Sequence, residues 1–315
     1  MQGDTDYAVI VVSHDHAEVL SACLGAVAAL EPAPVETVVI DNASSDGSAE
    51  LAEGRDRICL IHEPANTGFA AAVNHGLRET SAPWVLLLKP DCAPRPDFVG
   101  RLLGAALGRL ERDEIGAVTG RLIRAADTAL SPSGTLDAAG MVVTASGRHL
   151  DRGAGEPDDG RYGTPAWVFG GTGAATLYRR SALDDVANPD GQVLAESFFA
   201  YREDAELAWR LQWRGWRCLY VPDAVAVHGR GFRPEQGRRG HELVNRLSVR
   251  NRLLLRIHCA DLGWQQRTGP APRRQHDARR DGLADHHRGA APRRRQRLRR
   301  RPDPRRVPPD APVPD

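Results

Sequence analysis

Short apolar runs alternate with helical stripes along the first third of the chain. Ala8-Val9-Ile10-Val11-Val12 runs unbroken and stops at Ser13-His14. Val35 to Ile40, Ile58 to Ile61 and Trp84 to Leu88 repeat the pattern, the last stopping at Lys89-Pro90. Such runs, closed by turn residues, read as strands buried on both faces. Between them, Leu20, Cys23, Leu24, Val27 and Leu30 recur at helical spacing, a stripe that makes Cys23 a core residue. Asp15 and Glu18 have capping-box spacing before that helix, and Glu31-Pro32-Ala33-Pro34 ends it. A short helix through Leu51 follows the polar loop Asn42 to Gly47. A further helix, from about Phe69 to Arg78, follows the turn Asn66-Thr67-Gly68. The helix opened by Pro96 puts Val99, Leu102, Leu103, Ala106, Leu107 and Leu110 on one face.

This alternation of strand and helix predicts a parallel sheet covered by helices, with its binding crevice beyond the carboxyl ends of the strands. Ser13, Asp41, Asn66 and Asp91 all fall just past strand ends, so they can converge on one crevice. Asp91 lies between two prolines, and a carboxylate there can hold a hard divalent cation that grips phosphate oxygens.

The second half is less regular. Ile115 to Ile123 reads as a strand, and Gly153 to Gly160 as a flexible loop. Trp167-Val168-Phe169 leads into Gly170-Gly171-Thr172-Gly173, either a tight turn or a close approach to a ligand backbone. The stretch Glu203 to Trp216 is specified as a helix by acids at its start, Gly215 as its stop and Glu206–Arg210 at i,i+4. Trp209, Trp213 and Trp216 line one face. Glu203 and Asp204 sit at the positive helix end, where a carboxylate is expected to stay ionised and can take a proton from a hydroxyl. Cys218 to Val221 and Ala224 to Val227 read as two short strands, the second ending at His228 beside glycines, where imidazole can reach a metal. Val244 to Ile257 is a basic amphipathic helix with Leu247, Leu254 and Ile257 apolar. It either lies on an anionic membrane surface or presents a solvated face.

Composition divides the chain. From Arg267 onward it holds 15 arginines and 6 aspartates of the 42 basic and 41 acidic residues, which leaves 27 basic and 35 acidic residues in the body. That arginine- and proline-rich tail lacks the apolar residues to fold and is expected to be disordered. Its composition looks like a GC-rich gene read out of frame past Trp264. The five cysteines form no C-x-x-C pair, which argues against a zinc site or disulfide framework and fits a reducing cytosol. No apolar run approaches the roughly 20 residues that span a bilayer, and the first residues lack a signal-peptide layout. Lys89 is the only lysine.

No G-x-G-x-x-G or G-x-x-x-x-G-K-[ST] motif occurs, which argues against a dinucleotide fold and a P-loop. The ordered set Ser13-His14-Asp15, Val38 to Gly47, Asn66 to Asn74, Pro90-Asp91, Gly170 to Ala174, Glu203-Asp204 and His228 resembles the family 2 glycosyltransferases of the GT-A fold, in particular enzymes similar to bacterial rhamnosyltransferases. The resemblance implies a Rossmann-like α/β fold with a mostly parallel sheet over residues 1–258. Residues 1–112 would be the nucleotide-binding half and 113–258 the acceptor side, with 259–315 as tail. It implies a nucleotide-diphosphate-sugar donor and Mg2+ or Mn2+. Asp91 and His228 would be at the metal, and Asp204 would be the general base of an inverting transfer. Ser13, Asp41, Asn66, Gly68, Lys89 and Gly171 would line the donor site. Lys89 stands where the family's D-x-D element has its first acid, and it either pairs with phosphate or weakens metal binding. The donor expected is dTDP-rhamnose, and the acceptor a cell-wall or polyprenyl-linked glycan. The enzyme would be cytoplasmic or peripheral at the inner face of the membrane, with no nucleic-acid partner. The rival readings are a sugar nucleotidyltransferase and a nucleotide-sugar binder whose catalysis is impaired.

Overall fold

A computed structural model describes residues 3–144, 147–230 and 242–259. The first part follows the alternating pattern: β1 (Tyr7–Ser13), α1 (Ala17–Ala28), β2 (Glu36–Asp41), α2 (Ser48–Ala52), β3 (Cys59–His62), α3 (Phe69–Arg78), β4 (Trp84–Leu88), β5 (Cys92–Pro94) and α4 (Phe98–Leu107). The second part is β6 (Ile115–Ala125), β7 (Pro132–Ala138), β8 (Met141–Val143), β9 (His149–Asp151), β10 (Ala166–Val168), β11 (Ala175–Arg179), α5 (Arg180–Val186), α6 (Glu203–Trp213), β12 (Arg217–His228) and α7 (Glu242–Cys259).

Ten strands make one sheet, ordered β10-β12-β6-β11-β4-β1-β2-β3, with β5 paired to β12 and β7 to β6. The four strands β3-β2-β1-β4 are parallel, as the alternation predicts. The antiparallel β11 joins β4 to β6, and β6 runs parallel to β12. Because side chains alternate across a strand, β1 serves two cores. Val9 and Val11 face Leu20 and Leu24 of α1 and Leu102 of α4. Ile10 and Val12 face Val73 and Leu77 of α3, and Leu207 and Leu211 of α6 belong to the same second cluster.

Four local expectations are corrected. The capping box at Asp15 does not form. Asp15 adopts φ 54° and accepts from the Ser45 N–H, while Ala17 at the start of α1 donates to Asp46 from the next loop. The two short strands near Val221 are one strand, β12, which passes Pro222 and Asp223 through a register shift. Only part of the tryptophan face forms: Trp209, buried edge-on against Phe169, meets the ring of the 40% exposed Trp213 with centroids 6.1 Å apart, whereas Trp216 lies beyond the helix, bonded to Asp185. On α7 the buried stripe is Leu247, Asn251, Leu255 and Cys259, whereas Ile257 is 70% exposed. The expected tail lies outside the described residues, apart from Cys259.

Candidate active site

One end of the candidate site forms where β1 and β2 finish side by side. Ser13 pairs in register with Asp41, and the Asn42 N–H donates to the Ser13 carbonyl. Ser13 Oγ and Asp41 Oδ1 are buried with no hydrogen-bond partner. Buried polar atoms without partners are costly, so two of them at neighbouring strand ends mark a place where a polar ligand can bind. Asn66 is exposed and shapes its own turn, with Oδ1 accepting from Asn42 Nδ2 and from the Gly68 N–H. Gly68 sits at φ 86°, ψ 162°, and a Cβ there would lie 2.5 Å from the Phe199 ring.

Strand pairing brings Asp91 to His228. β5 runs antiparallel to the end of β12 with Cys92 opposite His228, and the Gly229 N–H donates to the Asp91 carbonyl. His228 Nε2 lies 3.4 Å from Asp91 Oδ1, and its Nδ1 lies 2.8 Å from Asp137 Oδ2. Asp137 is buried on β7 and is also paired with Arg230. Sequence reasoning missed it, because only the β7–β6–β12 pairing carries it to His228. Burial works against the His228 imidazolium, but Asp91 and Asp137 outweigh it and raise its pKa. Burial likewise raises the Asp91 carboxyl, yet His228, Lys89 and His16 hold it well below the usual carboxylate range.

Do these residues fit the divalent cation that the resemblance implies? His228 Nε2 is buried without a hydrogen-bond partner and faces the Asp91 carboxylate. A carboxylate behind the other ring nitrogen, as Asp137 is here, orients a histidine toward a metal. The pair fits as two ligands of a hard cation. Among the described residues no group of three or more His, Cys, Asp or Glu gathers for one.

Asp204 is the second residue of α6 and is half-buried. Its Oδ2 accepts from the Gly173 N–H at 2.9 Å and its Oδ1 from the Ala205 N–H at 2.8 Å. The glycine-rich turn packs inward: a Cβ on Gly170 would meet Ala208 at 2.5 Å, and one on Gly171 would meet Thr176. Lys89 joins the two ends of the site. Its backbone N–H donates to the Ala174 carbonyl. Burial works to lower the Lys89 pKa, but Asp91, Glu203, Asp204 and Tyr201 hold the ammonium in its charged form. Asp91 and Asp204 thus act on one cation. Glu203 does not stay ionised as expected of a helix start. It is buried, and burial, then the charge of Asp204, pushes it up to about 8. His16, half-buried after β1, was also missed as a site residue; burial lowers its pKa, while Asp91 raises it.

The sequence profile described as glycosyl transferase family 2 matches residues 8–187, more than half of the chain. The chain belongs to this family. Among curated relatives, the N-acetylglucosaminyl-diphospho-decaprenol L-rhamnosyltransferase of Mycobacterium tuberculosis (strain CDC 1551 / Oshkosh) is 28% identical over 245 residues, which is 70% of this chain and 75% of that one. The poly-beta-1,6-N-acetyl-D-glucosamine synthase of Staphylococcus aureus (strain COL) is 27% identical over 222 residues, 69% of this chain but 48% of the synthase. Among solved structures, the mannosyltransferase PcManGT of Pyrobaculum calidifontis, in complex with GDP-Man and Mn2+, has a TM-score of 0.53 at 19% identity, over 84% of this chain and 65% of its own. GalNAc-T7 with UDP, GalNAc and Mn2+ has the same TM-score at 14% identity, over 71% and 43%. These two show a shared GT-A fold. This family 2 glycosyltransferase is therefore an enzyme of sugar transfer, and no described helix is long and apolar enough to cross a membrane.

Proposed function

We propose that this glycosyltransferase moves a sugar from a nucleotide-diphosphate donor to a hydroxyl of a polyprenyl-linked or cell-wall glycan, with inversion at the anomeric carbon. The observation that carries the reading is Lys89, an ammonium acted on by both Asp91 and Asp204, with Asp204 fixed by the Gly173 N–H. Ser13 and Asp41 receive the nucleoside through their unpartnered oxygens. The Asn66-Thr67-Gly68 turn and Gly171 shape that site through the backbone. Asp91 and His228 hold Mg2+ or Mn2+, which when bound supplies positive charge to the leaving diphosphate. Lys89 adds a second, permanent positive charge there.

Asp204 takes the proton of the acceptor hydroxyl. The acceptor oxygen forms its bond to the anomeric carbon as the bond to the diphosphate oxygen breaks, and that electron pair leaves on the diphosphate. One displacement inverts the centre. Beside it, burial and then the charge of Asp204 keep the Glu203 carboxyl protonated near neutral pH.

The rhamnosyltransferase relative supports a rhamnosyl donor, for which we take dTDP-rhamnose, and a polyprenyl-diphosphate-linked acceptor. The outer side of α7 supports peripheral contact with an anionic bilayer: Leu243, Val249, Leu253 and Ile257 are exposed among Arg246, Arg252 and Arg256. A panel of nucleotide sugars, each incubated with polyprenyl-diphospho-N-acetylglucosamine, tests the reading. Transfer from dTDP-rhamnose supports it. Binding with no transfer from any donor would favour the impaired binder, and formation of nucleotide sugar from nucleoside triphosphate and sugar phosphate would favour the nucleotidyltransferase.

A further inference from the structure

The turn that delivers Asp204 is strained. Phe199, Tyr201 and Arg202 have φ of 64°, 70° and 76°, and none is glycine. Side chains with a Cβ rarely adopt this region, and such residues persist only where the surroundings hold them. Here the holding group comes from α7. Asn251 is fully buried, and its Nδ2 donates to the carbonyls of Phe198, Ala200 and Tyr201 at 2.8, 2.8 and 2.7 Å. An amide nitrogen has two hydrogens, so three carbonyls converge on it and share them. Arg250 adds bonds from Nη2 to the carbonyls of Ser197 and Phe198 at 2.9 and 2.7 Å. On the opposite side the turn is anchored to the donor half. The Ala70 N–H donates to the Phe199 carbonyl, and the Phe199 ring fills the space left by Gly68. The Arg202 carbonyl then accepts the Glu206 N–H and starts α6. Asp204 lies in that first turn.

We infer that Asn251 is a positioning residue for the base: it pins the left-handed turn at 199–202, and through it sets the approach of Asp204 to the acceptor hydroxyl. A plain core role would be met by an apolar side chain in the Leu247–Leu255 stripe. The three converging carbonyls require a donor instead. The inference rests on the reading of Asp204 as base.

The test compares Asn251→Ala with Leu255→Ala in the full chain. Leu255 is buried one turn further along the same side of α7, and its truncation loosens the helix without removing a donor from the turn. For Asn251→Ala, kcat is expected to fall about 100-fold, the scale of a small misplacement of a reacting group. Donor KM and nucleotide affinity should stay within about two-fold, since only an interaction serving the reaction is lost. For Leu255→Ala, kcat should stay within about three-fold at a temperature below its unfolding transition. Full kcat in Asn251→Ala would overturn the inference. So would a parallel loss of kcat and donor affinity, or an equal loss of kcat in Leu255→Ala. If Asn251→Ala does not fold, Asn251→Leu, which keeps the bulk but has no donor, is read by the same criteria. Asp204→Asn assayed alongside separates the two claims. Turnover retained there defeats the base assignment, whereas a dead Asp204→Asn beside a fully active Asn251→Ala defeats only the positioning role.

Discussion

The Gly173 N–H donates to Asp204 Oδ2 across 2.9 Å, so the loop after β10 grips the carboxylate at the start of α6. The second oxygen is held by the Ala205 N–H. A carboxylate fixed by backbone donors has lost the freedom of its side chain, which suits a base that must meet one hydroxyl in one orientation.

The metal ligands should be separable from the nucleoside site. Asp91→Ala is expected to abolish the gain in nucleotide-diphosphate affinity that Mn2+ gives, while metal-free affinity stays measurable through Ser13 and Asp41. Calorimetry with and without Mn2+ reads both quantities. A Mn2+ effect equal to wild type would remove Asp91 from the metal.

Asp137 should matter through His228. Asp137→Asn keeps the shape but loses the charge that orients the ring at 2.8 Å. The Mn2+-dependent part of donor affinity is expected to fall about 10- to 100-fold. The metal-free part should not move, and a fall in both would mark a folding defect instead.

Glu203 makes stability depend on pH in a stated direction. Its folded pKa is raised from an ordinary 4.5 to about 8 by burial, then by Asp204. The folded state therefore holds a proton that the unfolded chain releases above 4.5, and stability from this group falls as pH rises toward 8. Glu203→Gln removes that proton exchange. Measured from pH 5 to 8, the unfolding midpoint of wild type should decline relative to Glu203→Gln, and parallel curves would contradict the shift.

Gly68→Ala tests the turn that receives Phe199. The backbone at φ 86°, ψ 162° is open to glycine almost alone, and the new Cβ would press on the Phe199 ring. A loss of about 3 kcal/mol in urea unfolding is expected. A change under roughly 0.5 kcal/mol would show that the turn relaxes freely.

The alternation of strands and helices was legible because each element carries its own periodicity. The polar residues at strand ends followed from it, since a parallel sheet fixes where strands finish. Residues whose roles come from pairing across distant strands were not legible. Asp137 reaches His228 only through the β7–β6–β12 ladder, and Asn251 hides in an apolar stripe of α7 where a polar residue looks like noise. Pro222-Asp223 reads as a strand breaker, yet the strand absorbs it as a register shift. Glu203 was misread because the rule for helix starts assumes access to water, and here burial outweighs the helix dipole. For Gly170 and Gly171 the sequence left two options, and the structure shows close packing against Ala208 and Thr176.

The central claim is that Asp204 accepts the acceptor's proton beside a separate donor site. The most direct measurement is transfer by Asp204→Asn, with donor affinity determined on the same preparation. The account predicts a fall in kcat of about 10²- to 10⁴-fold with donor affinity little changed. Turnover near wild type in that variant would contradict it.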